Sequence, residues 1–337
     1  MTTRGKSTRT AVAKRAPSAR DVIVDLERIE KSHAEGDLAL GGRKTLHVSS
    51  LDKIFFPDAK ITKGDVMRYY AAMSPALLPL LKNRPLILKR YPNGIGGPSF
   101  FQQNAGTHPA SVRVADVETE DGERATRLVG GDLATLLYTV QLGTIAVHPW
   151  QSRLPAIDFA DYSTIDLDPG DGVAFARIVE LAQRIRDELD HLELHAALKT
   201  SGSRGLHIVL PLPPRTSYVR SATLAEEIAA TVTAKNPRLA TLQRSLKRRP
   251  AGTIYVDAKQ NARGKSVACA YSVRERPGAP VSAPLRWSEL NGKLRIGDFT
   301  IDTMPRRLEA VGDLWGEAMK QRNTNRAIDR ALAKGRS

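Results

Sequence analysis

Ser163-Thr164-Ile165-Asp166-Leu167-Asp168-Pro169-Gly170 is the stretch on which the fold turns. Its apolar and polar residues alternate, which reads as a strand because successive side chains on a strand point to opposite faces. Ile165 and Leu167 then share one face and Asp166 and Asp168 the other, with the two acidic Cα atoms roughly 6.6 to 6.8 Å apart. Pro169 and Gly170 stop the strand just after the second acid. Two carboxylates on one face repel one another unless a cation lies between them, and a divalent metal with oxygen ligands satisfies both. An acidic strand end in a turn is the plainer reading, and Asp-x-Asp alone does not separate the two.

A second β-rich run, Thr253 to Asp257, also ends in an aspartate and is followed by Lys259, Arg263 and Lys265. Three aspartates at neighbouring strand ends would suit two divalent ions, which activate an attacking hydroxyl and neutralise a leaving pyrophosphate. Between these runs, Lys199 to His207 joins two apolar strands through Thr200, Ser201, Gly202, Ser203, Arg204 and Gly205. Small residues let backbone amides approach an anion, and Arg204 adds a fork of donors. His207 lies between Leu206 and Ile208, as a satisfied structural histidine or a group at the phosphates.

Working outward, Leu86 to Tyr91, Leu194 to Lys199, Leu206 to Leu210 and Val267 to Val273 read as further strands. Thr62 with Asp65 forms a capping box before a helix that Pro75 should bend or interrupt. Asp132 caps a second helix. Phe175, Ile178, Ala182, Ile185 and Leu189 mark a third by their spacing, and Thr223 with Glu226 caps a fourth. Strands and helices mix without the repeat of a doubly wound parallel sheet. The expected class is α+β, with antiparallel or mixed sheets packed by helices.

Among the 337 residues, 51 Lys and Arg stand against 36 Asp and Glu, a net charge of +15. Such an excess attracts polyanions, although any single basic cluster is also an ordinary solvated face. Six of those charges lie in Arg4, Lys6, Arg9, Lys14, Arg15 and Arg20, a stretch without an acid. Residues 1–43 are expected to form a disordered basic arm and linker, with 21–37 an amphipathic helix or linker. Residues 44–320 are expected to be the folded domain and 321–337 a basic tail. No apolar run approaches the roughly 18 to 20 residues that span a bilayer. The N-terminus lacks the apolar core of a secretory signal, so a cytoplasmic, nucleoid-associated protein is expected. Cys269 is the only cysteine, which excludes an internal disulfide and a thiolate zinc site.

Eight ordered blocks resemble the polymerase domain of bacterial DNA ligase D, a branch of the archaeo-eukaryotic primase superfamily. They are LDKIFFP (51–57), ITKGD (61–65), YPNGIGGPSFFQ (91–102), HPW (148–150), IDLDPG (165–170), KTSGSRGLH (199–207), QNARGK (260–265) and YSVRERPGAPVSAPLRW (271–287). The resemblance implies a primase-like catalytic core, two Mn2+ or Mg2+ ions, NTP or dNTP substrates with ribonucleotides favoured, and template-dependent addition in non-homologous end joining. It implies gapped or broken DNA, the Ku protein and a separate DNA ligase as partners, and a monomer.

Residue by residue, the resemblance makes Asp166, Asp168 and Asp257 the metal-binding acids. It places His148, Ser201, Arg204, His207, Gln260 and Arg274 on the nucleotide side, and Lys53 and Lys63 at the 5′-phosphate across a gap. Phe100 and Phe101 match a pair that stacks on template bases. Lys53 and Lys63 are otherwise solvated lysines near a helix start, and His148 and Arg274 otherwise a structural histidine and a surface charge. Arg204 stands where many relatives have lysine. With no Lys-x-Asp-Gly ligase motif and no clustered nuclease site, a free-standing polymerase module is expected. A primase that starts chains unprimed, a noncatalytic DNA end-binding module and a metal-dependent phosphoesterase are the alternatives.

Overall fold

A computed structural model describes residues 17–42, 44–118 and 122–334. Its first element is a helix, α1 (Ala19–Ser32), closed at Ser18 by a capping box with Asp21. Val22, Leu26 and Ile29 lie on one helical face and are fully or almost fully buried. Burying such side chains contributes about 1.5–3 kcal/mol each. α1 packs on α2 (Lys63–Leu81), and β1 (Gly36–Ala39) pairs antiparallel with β2 (Thr45–Val48). The boundary expected at residue 44 therefore lies inside the fold: the helical reading of residues 21–37 holds as far as Ser32, β1 takes over at Gly36, and α1 and β1 share one core with β2 and α2. Residues 1–16 of the expected basic arm lie outside the described residues.

A short antiparallel pair, β3 (Ile54–Phe56) and β4 (Ile61–Thr62), leads into α2. The Thr62–Asp65 capping box forms as expected. α2 is not interrupted at Pro75 or Pro79 and continues to Leu81. Each proline removes a helix hydrogen bond, at about 3 kcal/mol in an exposed helix. Here packing compensates, because α2 is buried on most of its surface, with Val66, Met67, Tyr70, Met73 and Leu77 inaccessible to solvent. β5 (Leu86–Arg90), β6 (Phe100–Gln102) and β9 (Thr144–Pro149) form a three-stranded sheet in the order β6-β5-β9. Between β6 and β9 lie the hairpin β7 (Val114–Glu118) and β8 (Arg124–Leu128), then α3 (Leu133–Gln141), capped by Asp132 as expected.

The second half builds a six-stranded sheet around β10 (Tyr162–Pro169), the strand that carries Asp166 and Asp168. After β10 come α4 (Phe175–His191), β11 (Ala197–Thr200), β12 (Leu206–Pro211), α5 (Tyr218–Lys235), β13 (Ala240–Thr241), β14 (Ile254–Asp257) and β15 (Pro284–Leu285). Their order is β13-β14-β10-β12-β11-β15, all antiparallel except the β13–β14 pair. The α+β class is thus as read. Ile165 and Leu167 are inaccessible, and Ser163 on their face donates to the Ser221 carbonyl of α5 at 2.9 Å. That leaves Asp166 and Asp168 on the opposite face.

Three sequence expectations change here. The cap of α5 lies six residues earlier than expected: Ser217 accepts from the Arg220 amide, while Thr223 is interior and donates back to the Val219 carbonyl. Val267–Val273 is a buried irregular strip rather than a strand, since its amides reach outward singly, Cys269 to the Val147 carbonyl and Tyr271 to that of Ser282. The expected tail from 321 instead supplies α8 (Asn325–Lys334), which follows α6 (Met304–Val311) and α7 (Leu314–Lys320). α8 packs on α5 and buries Ala327, Ile328 and Ala331.

Candidate active site

One row of side chains crosses four strands of the large sheet. Lys199 on β11 is the register partner of His207 on β12, His207 of Asp166 on β10, and Asp166 of Asp257 on β14. Register partners in antiparallel strands lie on the same face, so the row is a direct product of strand order. The Lys199 ammonium lies 2.6 Å from His207 Nδ1 and donates to Ser282 Oγ at 2.7 Å and the Ala268 carbonyl at 2.9 Å. His207 Nε2 is 3.3 Å from Asp166 Oδ1. With Lys199 donating to Nδ1, the neutral imidazole carries its proton on Nε2 and donates it to Asp166.

Burial, then the Lys199 charge, pulls His207 down to about 4, and burial, then Arg274, pulls Lys199 down to about 7. Burial works against ionisation of Asp166. His207, Lys199 and Arg274 together overcome it and hold that carboxyl below the ordinary carboxylate range. The Asp257 carboxylate accepts from Tyr255 OH at 3.1 Å, the Lys259 amide at 2.8 Å and Gln260 Nε2 at 3.0 Å. Asp168 is half-exposed, and the buried guanidinium of Arg249 reaches its Oδ2 at 3.3 Å and its carbonyl at 3.0 Å. Arg249 also lies 5.3 Å from the Tyr255 ring centroid.

A cavity of about 180 Å³ opens at the middle of this row, where Asp166 and His207 line it with Asp168, Ser201, Arg204, Arg274 and Arg276, while Lys199 and Asp257 do not reach it. Six residues separated by up to 108 positions thus converge as the sequence grouping requires. The loop beneath it departs from expectation in one respect. Ser201 Oγ accepts from the amides of Ser203 at 3.1 Å and Gly205 at 3.0 Å, so these two donors are turned into the loop. Anion capacity falls instead on the guanidinium groups. Gly205 is obligatory, because a Cβ there would stand 1.9 Å from the Leu167 carbonyl oxygen.

Other expected site residues lie apart from this cavity. Gln260 supports Asp257 through its side-chain amide. His148 on β9 has a buried Nε2 without a partner, and burial, then Arg274, pulls it down to about 3. Lys53 and Lys63 sit together at the start of α2, where the Lys63 amide donates to the Lys53 carbonyl at 2.8 Å. Lys53 Nζ donates to Asn93 Oδ1 at 2.9 Å and Lys63 Nζ to the Ser49 carbonyl at 2.7 Å. Burial, then the Lys53 charge, lowers Lys63 to about 8. Phe100 and Phe101 are 48% and 65% exposed on opposite faces of β6, against Arg90 and Lys89 respectively.

Sequence reasoning passed over Arg249, Arg276 and the role of Lys199. Arg249 was visible only as the end of a basic run, Lys247-Arg248-Arg249. Three carboxylates are hard oxygen donors of the kind that Mg2+ and Mn2+ take. Asp166 and Asp257 face one another directly, whereas Asp168 is engaged by Arg249, and among the described residues no three His, Cys, Asp or Glu side chains already form a metal cage. The donor chemistry fits a divalent ion once Asp168 leaves Arg249.

Comparison with known proteins shows the family of this fold. The family model of the LigD primase-polymerase domain matches residues 62–315. The multifunctional non-homologous end joining protein LigD of Pseudomonas aeruginosa is 31% identical over 295 residues, covering 86% of this chain and 35% of that protein. The bifunctional LigD of Bacillus subtilis is 35% identical over 273 residues, covering 79% of this chain and 43% of that protein. The chain thus spans well under half the length of these relatives. The polymerase domain of Mycobacterium tuberculosis ligase D, solved in complex with DNA, superposes with a TM-score of 0.76 at 30% identity, over 82% of this chain and 99% of that one. With the acid row on its expected strands and the family model spanning both sheets, this chain belongs to the LigD primase-polymerase domain family.

Proposed function

We propose that the protein is a template-dependent nucleotidyltransferase that adds nucleotides to a primer 3′-hydroxyl at gaps and broken DNA ends. The observation that carries this reading is that Asp166 and Asp168 line one cavity with Arg204, Arg274 and Arg276, while Asp257 is the cross-strand partner of Asp166. Acids that want a cation lie directly beside cations that want a polyphosphate.

In this reading Asp166, Asp168 and Asp257 hold one or two Mn2+ or Mg2+ ions. Such ions lower the pKa of an attacking hydroxyl and offset charge on a transferred phosphoryl group. Lys199 and His207 keep Asp166 ionised and aimed, while Ser201, Arg204 and Arg274 bind the triphosphate and Arg276 adds charge at the rim. Guanidinium groups suit this task, since their forked donors match phosphate oxygens. Lys53 and Lys63, at the amide end of α2, take the 5′-phosphate across a gap. Phe100 and Phe101 offer exposed rings to template bases. His148 and Gln260 complete the nucleotide side, Gln260 through Asp257. Ribonucleotides are the preferred substrates, and Ku and a separate ligase the partners in end joining.

The test is gap filling on a 5′-phosphorylated substrate, with manganese against magnesium and ribonucleotides against deoxynucleotides. Asp166→Ala should lose extension by at least about a thousandfold while keeping DNA binding; extension at the wild-type rate would refute the acid assignment. Lys53→Ala with Lys63→Ala should remove the preference for a phosphorylated gap. Survival of that preference would mean that the two lysines serve another role.

A further inference from the structure

Glu275 lies outside both sheets and contacts the three-stranded sheet on one side and its chain neighbour Arg274 on the other. Its Oε1 lies 3.3 Å from both Lys89 Nζ and Tyr91 OH, at the end of β5, and its Oε2 lies 3.4 Å from Arg274 Nε. One oxygen therefore faces the three-stranded sheet and the other faces Arg274, which itself reaches the loop between β11 and β12. Each of the two connections continues. Lys89 is the register partner of Phe101 and sits 5.9 Å from the Phe101 ring centroid. On the far side, Arg274 donates from Nη1 to the Ser201 carbonyl. An unbroken chain thus runs from the exposed ring of Phe101 through Lys89, Glu275 and Arg274 to the loop under the polyphosphate cavity.

Its surroundings are cationic. Lys89 and Arg274 flank Glu275, and the His148 ring, buried nearby, lies close enough to feel all three charges. The Glu275 side chain is 12% exposed, and burial alone would favour its neutral acid. Arg274, its own backbone amide and Lys89 overcome that and hold it well below the ordinary carboxylate range. An anionic carboxylate can accept from Lys89, Tyr91 and Arg274 at once.

We propose that Glu275 is a positioning residue that fixes the templating surface at Phe101 relative to the triphosphate donors at Arg274, and thereby sets discrimination between matched and mismatched nucleotides. The inference rests on the proposed polymerase function. A correct base pair is read where base and triphosphate are placed at once, so a linkage between the two surfaces turns pairing geometry into binding of the reacting end. Without it, each surface would bind its part of the nucleotide separately.

Two variants cut the chain on opposite sides of the carboxylate. Glu275→Gln keeps size and can still accept from Lys89 and Tyr91, but its amide faces Arg274 with donor against donor. Lys89→Met leaves Glu275 and Arg274 intact and removes the connection to Phe101. On a primer–template, each should lower the matched-to-mismatched ratio of kcat/KM about tenfold, mainly through KM for the matched nucleotide, and the double variant should be no worse than either alone. Equilibrium binding of matched and mismatched nucleotide to a dideoxy-terminated primer–template should show the same loss without turnover. Ratios within twofold of wild type in both variants, or losses that multiply in the double variant, would overturn the linkage. Should Glu275→Gln fail to fold, Lys89→Met alone decides by the same ratio. A wild-type protein that neither binds nucleotide nor extends primers would instead defeat the proposed function, a result separate from unchanged discrimination.

Discussion

Asp166 and Asp257 are direct cross-strand partners, two carboxylates opposed on adjacent antiparallel strands in the middle of a sheet. Like charges so placed destabilise a sheet by up to about 1 kcal/mol. Asp257→Asn keeps an acceptor for the Lys259 amide and removes one of the charges. Under chelating conditions it should therefore be more stable than wild type by about 0.5–1 kcal/mol in urea unfolding, while extension is lost. A lower unfolding midpoint would show that the opposed charges are already neutralised by the protein itself.

Lys63 gives a signed pH dependence. Burial lowers it from the ordinary lysine value of 10.5 to about 8 in the folded chain, so between these values the unfolded chain binds the extra proton. Stability attributable to this group should rise with pH through that window and be flat below it. Lys63→Met should lack the rise, and unfolding free energies of both proteins from about pH 7 to 10.5 check this. Parallel curves would mean that Lys63 is not held against its charge.

Arg249 competes for Asp168. Arg249→Met should bind Mn2+ about three- to tenfold more tightly in calorimetry, because the carboxylate no longer faces a buried guanidinium. It should also be less stable, since the same side chain packs against Tyr255. Weaker metal binding in that variant would indicate that Arg249 orients Asp168 instead of withholding it.

Cys269 is buried, and burial pushes its thiol up to about 12. Thiolate is the reactive form, so the native protein should react with a disulfide reagent at least about a thousandfold more slowly than in denaturant. As the only cysteine, it then reports opening of the segment next to Lys199. Fast labelling of folded protein would contradict this packing.

Much of this architecture was legible. β10 announces itself through alternation, and α4 and the capping boxes through spacing, because these signals are local. α1 was half-legible: Val22, Leu26 and Ile29 carry the helical period, but Asp21, Asp25, Glu27, Glu30 and their basic neighbours also suit a solvated linker, and only the surface of α2 decides between the two. The prolines of α2 mislead in the same way, since tertiary burial outweighs their local cost. In the site, each acid could be found at its own strand end. The Lys199–His207–Asp166–Asp257 row could not, because it depends on which strands become neighbours and in what register. Arg249 and Glu275 were hidden for the same reason: their partners lie 81 and up to 186 residues away.

The strand order of the large sheet has a further consequence. β14 follows α5 in the chain, yet it docks against β10, which precedes both α4 and α5. A backbone cut in the turn between α5 and β13 would therefore leave Lys199, His207, Asp166 and Asp168 on one fragment and Asp257 with Gln260 on the other. Neither piece would hold the opposed carboxylates, and mixing them would regenerate the pair only when the fourth strand of the row zips into place. Nucleotide addition by the reassembled halves would then serve as a chemical signal that the sheet has closed.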